Sequence, residues 1–238
     1  MNTFVIFIVI ILIAAILQTS TGFGFSIMAT PFLLLLFQPK EAIQINLVLS
    51  LVISLSLILK IRKDIDFGIV KRFMVGSIPG LPVGILVFTL FNMDLLKISV
   101  SITIILLTFL LIMKFRIQQT KKRDLVAGGL SGALTTSIGM PGPPLLLYFS
   151  GTDTRKEKLR ATTLAFYLFI YFVSLLIQSL VAGTSVTVWK WGLLAMPAVG
   201  IGLFLGQVLF QKISQSMFRV FTYVLLFFTG IYLLFESL

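Results

Sequence analysis

Apolar runs of membrane-crossing length alternate along this chain with short connectors rich in lysine and arginine. Stretches 42–59, 73–91, 161–181 and 191–210 contain no Asp, Glu, Lys or Arg, and each is 18 to 21 residues long. At 1.5 Å of rise per residue, a helix of that length spans a hydrocarbon core of about 30 Å. Segments 95–113 and 218–235 read the same way, with Lys97 and Arg219 at their edges. Two further apolar stretches, 3–37 and 125–150, are interrupted from within. Thr21-Gly22-Phe23-Gly24 breaks the first, and Gly139-Met140-Pro141-Gly142-Pro143-Pro144 breaks the second. Glycine admits unusual dihedrals and proline removes a donor, so neither stretch is expected to form one continuous helix.

The pattern repeats. Thr19-Ser20-Thr21-Gly22 is echoed by Thr136-Ser137-Ile138-Gly139, Lys40-Glu41 by Lys156-Glu157, and Pro79 with Gly84 by Pro197 with Gly202, at offsets of 116 to 118 residues. Three echoes in order at nearly one spacing indicate an internal duplication. Each half then reads as a broken stretch followed by three spans, repeat one over 1–118 and repeat two over 119–238, in a single transmembrane domain 1–238.

A broken stretch can cross the membrane or dip in and return as a re-entrant hairpin. The basic residues discriminate, because cytoplasmic loops collect Lys and Arg. With both stretches re-entrant, loops 60–72, 114–123, 151–160 and 211–219 share the cytoplasmic side, and of the 19 Lys and Arg only Lys40, Lys97 and Lys190 lie outside. With both stretches crossing, the basic residues divide far more evenly. A mixed arrangement, with only the second stretch re-entrant, matches the first charge split, but symmetry between the halves argues against it. The expected fold is an all-α polytopic membrane protein. Its two repeats have inverted topology, because three crossings per half is an odd number. Inverted repeats with broken helices near the midplane are a recurring plan of secondary transporters.

Composition narrows the chemistry. Of the 238 residues, 58% are hydrophobic and 11% charged, and the mean hydropathy is +1.10, which leaves no room for a separate soluble domain. The net charge of +11 is read as topology-setting loop charge, and no nucleic-acid partner is expected. Cysteine and histidine are absent, which excludes disulfides and thiolate or imidazole metal sites and removes the usual neutral-pH acid–base group. No metal and no cofactor is expected. No carboxylate falls within a predicted span, which disfavours a proton relay, although sodium held by carbonyls stays open. No phosphate-binding glycine loop followed by Lys-Ser/Thr occurs, and no Ser/His constellation, so the chain reads as no enzyme. The first 21 residues carry no Lys or Arg and are read as part of the mature protein.

The candidate site is built around the two breaks. Non-helical backbone at membrane depth persists only where protein or water covers it, so two breaks at symmetric positions suggest a shared polar cavity. Gln18, Thr19, Ser20 and Thr21 adjoin the first break with Gly22 and Gly24, and Thr135, Thr136 and Ser137 adjoin the second with Gly139 and Gly142. A half-helix is expected to start near Gly24 and near Gly142. Unpaired N–H groups and the positive dipole end at both starts would attract an anion without a buried Lys or Arg. Asn46 and Thr162, with Gln44 and Thr163 nearby, take equivalent positions after each hairpin and offer an amide or hydroxyl to a substrate oxygen. For each of these residues, close helix packing or an interhelical hydrogen bond is the competing reading. Arg160 is expected to sit at a membrane edge with its charge in water. Trp189 and Trp191 read as outer interfacial anchors.

At these motifs the chain resembles the TauE/SafE family of membrane transporters. The resemblance rests on Thr21-Gly22-Phe23-Gly24 with Pro31, on Gly128-Gly129-Leu130-Ser131-Gly132, and on Thr136-Ser137-Ile138-Gly139 with Gly142-Pro143-Pro144. It extends over essentially the whole chain, although Met140-Pro141 inside the second motif is a local variant. It implies movement of sulfur-containing anions such as sulfite, sulfoacetate and other organosulfonates. The expectation is a multi-pass plasma-membrane exporter working by alternating access. Its partners are a small anionic substrate and the lipid bilayer, with a homo-oligomer left open. An anion channel or a non-transporting membrane scaffold is the alternative.

Overall fold

The computed structural model describes residues 3–92, 119–150, 154–212 and 214, with eight scattered positions between 94 and 109; of Leu147 and Ser150 only the backbone is described. Most of the predicted span 95–113 and all of 218–235 lie outside the described residues, as do Lys97, Asp153, Arg219 and Glu236.

The described residues are helical, with no strand among them. The helices are α1 (Thr3–Thr21), α2 (Phe25–Leu36), α3 (Pro39–Ile61), α4 (Phe67–Ser77), α5 (Gly80–Leu90), α6 (Lys121–Ile138), α7 (Gly142–Ser150), α8 (Lys156–Ala182), α9 (Val186–Leu194) and α10 (Met196–Lys212). Local chemistry explains several of their ends. Pro39 occupies the first turn of α3, where its missing N–H costs nothing. The Asp66 carboxylate caps α4 by accepting from the Ile69 N–H at 3.0 Å. Both predicted breaks are present, and each leading helix stops on a left-handed glycine. Gly22 ends α1 at φ +85° and Gly139 ends α6 at φ +74°.

Among the described residues, α1, α3 and α8 are individually long and apolar enough to cross a bilayer. Two bent pairs bring the candidate spans to five: α4 with α5 turns through 51° and α9 with α10 through 47°. The stretches 73–91 and 191–210 were each expected as one span. Instead each bends, and their helices begin earlier, at Phe67 and Val186. Pro79 stands at the first joint and Pro197 just after the second, where a lost backbone donor permits the change of axis.

α1 and α2 fold back on each other. The rings of Phe7 in α1 and Phe37 after α2 lie 5.7 Å apart, and both pack edge-on against Trp191. α6 and α7 fold back likewise, with Tyr148 of α7 donating to Asp124 in the first turn of α6. α1 then packs along α10, α6 along α4 and α5, and α3 along α8. Small residues allow the first two contacts. A Cβ on Gly202 or Gly206 would stand 2.5 Å from Ala15 or Thr19, and one on Gly80 would stand 2.1 Å from the Gly129 carbonyl.

Contacts at the two ends of the bundle separate its connectors. At one end Arg72 pairs with Asp124 at 2.5 Å, Lys158 with Asp66 at 2.7 Å, and Lys60 reaches Gln207. At the other, Gln44 donates to the Gly183 carbonyl and Ser185 to Glu41, while Trp191 holds Phe4, Phe7 and Phe37. Large apolar side chains such as Leu180, Val186 and Phe204 stand on the outer surface, at 77%, 82% and 68% exposure. A surface this apolar is lipid-facing.

Candidate functional site

α3 and α8 form the centre of the bundle, and each carries a polar stripe along one face. On α3 the stripe is Asn46, Ser50 and Ser54, at i, i+4 and i+8, all fully buried. On α8 it runs Arg160, Thr163, Tyr167, Tyr171, Ser174 and Gln178, at steps of three or four, and none is more than 6% exposed. A helix surrounded by apolar neighbours places such residues inward because lipid cannot satisfy them.

The leading hairpin helices join this seam. Gln18 of α1 donates from Nε2 to the Ser50 carbonyl at 3.1 Å and to Ser54 Oγ at 3.2 Å. In the other half, Gln178 of α8 donates to the Thr136 carbonyl of α6 at 2.8 Å, and Thr136 Oγ1 lies 2.8 Å from Ser174 Oγ. Each break presses on the helix that follows the opposite hairpin. A Cβ on Gly22 would stand 2.8 Å from Arg160 Cα in α8, and one on Gly139 would stand 2.7 Å from Asn46 Nδ2 in α3. Asn46 donates to the Gly139 carbonyl at 2.8 Å, which ties down the buried C-terminal end of α6.

The half-helices begin where the sequence places them. α2 starts after Gly24, at φ +115°, without a side-chain cap, and α7 starts at Gly142 with Pro143 and Pro144 in its first turn. The two starts meet: a Cβ on Gly142 would stand 3.0 Å from the Tyr167 hydroxyl and 3.2 Å from Ile27 Cδ1 of α2. Ser26, also in the first turn of α2, shares a 2.8 Å hydrogen bond with Tyr171.

The predicted site residues therefore divide. Gln18, Asn46, Thr136, Gly22, Gly139 and Gly142 converge on the seam. The hydroxyls of Ser20, Thr135 and Ser137 donate to carbonyls in the preceding turn of their own helices. Thr21 does the same and also bonds to the Phe23 carbonyl. Thr19 faces Gly206 of α10. Thr162 turns away from the seam and accepts the Asp66 N–H at 3.1 Å. It holds the connector before α4, whose Asp66 carboxyl stays below the ordinary carboxylate range chiefly through its hydrogen bond with Lys158.

The largest difference from the sequence reading is Arg160. It is 6% exposed, its guanidinium carbon lies 4.3 Å over the Phe210 ring of α10, and Nε and Nη2 have no partner among the described residues. It is a buried cation at the first break, where the sequence reading expected no buried Lys or Arg. Thr163 Oγ1 and the Tyr167 hydroxyl are likewise buried without a partner, as are the acceptor oxygens of Gln18, Asn46 and Gln178. Buried polar atoms are ordinarily hydrogen-bonded, so these orphans set the seam apart from the rest of the helix packing. The reading of the sequence missed the α8 stripe, whose three- and four-residue spacing within an apolar span was its available signal. Asp124, outside every predicted span, is fully buried in the first turn of α6 between Arg72 and Tyr148. No cluster of acidic residues that could hold a metal ion occurs among the described residues.

Compared with known proteins, residues 6–233 match a family model described as sulfite exporter TauE/SafE. No curated protein and no solved structure matches the chain.

Proposed function

The chain belongs to the TauE/SafE family, a family of membrane transporters of sulfur anions, and on that premise we propose that it is a plasma-membrane secondary transporter. Its cargo is a small sulfur-containing anion (sulfite, sulfoacetate or another organosulfonate), which it exports by alternating access. The observation that carries this reading is the meeting of two half-helix starts at one buried polar seam. Both starts direct partial positive charge at the same place, which is the field an oxyanion requires.

An inverted duplication, 1–118 and 119–238, accounts for further features. The hairpin α1–α2 opens toward Trp191, and α6–α7 opens toward Arg72 and Asp124. Contacts come in matched pairs: α4 with α8 and α9 with α3, α5 with α8 and α10 with α3. The bends of 51° and 47° fall at corresponding joints. In such a plan both hairpins are re-entrant, and rocking of one half against the other exposes the seam to each side in turn. The inside-negative potential drives an anion outward, at about 2.3 kcal/mol per charge per 100 mV.

Proteoliposomes containing the purified protein test this. A transporter gives saturable sulfite flux, accelerated by sulfite on the opposite side and by a potential negative on the side of origin. A channel gives flux that rises linearly with sulfite and is not accelerated by sulfite on the opposite side. A scaffold gives none. Either of the last two results overturns the proposal.

A further inference from the structure

Ser20, Thr21, Thr135 and Ser137 commit their hydroxyls to carbonyls of their own helices, Thr136 bonds to Ser174, and Thr19 is turned toward Gly206 of α10, so further donors are needed to meet the substrate. We infer that the anion is bound by a ladder on one face of α8, formed by Arg160, Thr163 and Tyr167. This rests on the transporter reading above and supplies the residues that reading leaves open.

The three residues stand at i, i+3 and i+7, which places them one above another on the inward face of the helix. Each is at least nine-tenths buried, and each carries a hydrogen-bonding atom without a partner among the described residues. The ladder also joins the two breaks. Its lower rung, Arg160, lies against Gly22 at the tip of the first hairpin. Its upper rung, the Tyr167 hydroxyl, stands 3.0 Å from the Cβ position of Gly142, at the start of α7. Ile27 of α2 reaches that same position, so the upper rung belongs to both half-helix starts.

Chemistry sets the sign of the ligand. A buried guanidinium with unpaired N–H groups is costly unless an anion approaches it, and two hydroxyls add donors along the same line. The orphaned acceptors Gln18 Oε1 and Asn46 Oδ1 are on other helices, and Gln178 Oε1 lies about three turns beyond Tyr167 on α8. Seven residues of helix rise separate the outer rungs by about 10 Å. A compact oxyanion therefore contacts neighbouring rungs in succession and is handed along α8. Phe210, stacked over Arg160, covers the lower rung.

The test uses the full chain in lipid nanodiscs, with sulfite as the probe against chloride at matched ionic strength and constant sodium. Sulfite should raise the unfolding midpoint of the wild type. Arg160→Gln should abolish that shift or move its half-saturation upward about tenfold or more, the size of a lost charge-assisted hydrogen bond. Arg160→Lys should retain part of the shift. Tyr167→Phe and Thr163→Val should each weaken it while leaving the ligand-free midpoint near wild type, which a merely structural role would not do. If Arg160→Gln does not fold, Arg160→Lys and Tyr167→Phe decide by the same readout. Wild-type half-saturation in Arg160→Gln, or in both of those two variants, overturns the ladder. So does stabilisation by sodium in place of sulfite. Flux separates this inference from the function it rests on. Saturable sulfite flux with an unchanged half-saturation in the variants removes the ladder and leaves the transporter. Arg160-dependent sulfite binding without any flux leaves the ladder and removes the transporter. A wild type that neither binds nor moves sulfite removes both.

Discussion

A few residues carry conformations or contacts that no other side chain would sustain. Gly22 combines φ +85° with a Cβ position 2.8 Å from Arg160 Cα. Gly22→Ala therefore meets both backbone strain and a clash with main chain, and should destabilise the protein by more than about 1 kcal/mol. Denaturant unfolding in detergent measures this, and a stability equal to wild type would contradict the close approach. Asp66 allows a pH prediction. Its carboxyl is held below the ordinary range chiefly by the Lys158 hydrogen bond, so the folded-state affinity for a proton is lower than the unfolded one. The associated stability is present at neutral pH and above the ordinary carboxylate range. It is lost as pH falls through the depressed value. Asp66→Asn should flatten the acid limb of a stability–pH profile, and an unchanged limb would show that the pair contributes nothing there.

Helix pairs in this protein are held by close backbone approach. On α5, Gly80 and Gly84 face the Gly129 and Ala133 carbonyls of α6, and Gly76 of α4 faces Leu125. Lipid tails match the apolar side chains in hydrophobicity, so such contacts depend on dispersion and fit. Gly80→Val would force α5 and α6 apart and should cost about 1–3 kcal/mol, the usual range for overpacking. Gly200→Val is the control, because nothing lies within 4 Å of its Cβ position. Thermal unfolding of both variants in one detergent checks the contrast, and equal effects would contradict the packing.

For the whole molecule, the direction in which each hairpin opens matters most. Cysteines replacing Phe7 and Phe37, whose rings are 5.7 Å apart, should be joined by a short bifunctional cross-linker in the native membrane. A stretch 3–37 that crossed the bilayer would keep them on opposite faces and give no product. Single cysteines at Lys63 and Thr184 extend the test. They lie in connectors at opposite ends of the bundle and should react with an impermeant reagent from opposite sides. Labelling from one side only would remove the proposed topology. The absence of native cysteine makes both experiments free of background.

Sequence alone determined the class and the landmarks. The apolar runs required a membrane protein, because a chain with 11% charged residues has no polar surface to present to water. Gly22, Gly139 and the Pro143-Pro144 pair marked where helices end and begin, since these residues restrict or free the backbone locally and need no knowledge of neighbours. The motifs around them also indicated the family. Tertiary structure decided which polar groups are available. Ser20, Thr135 and Ser137 look in sequence like free donors, yet each hydroxyl is taken up by the turn before it. Arg160 looks like an edge residue, because it ends a basic connector, and only the packing of Gly22 and Phe210 against it buries its charge. The bends at Pro79 and near Pro197 likewise depended on what the second half-helix packs against. Local dihedral preference is written residue by residue, whereas burial and hydrogen-bond satisfaction are properties of contacts between helices far apart in the chain, and those contacts decide which side chains remain to meet a substrate.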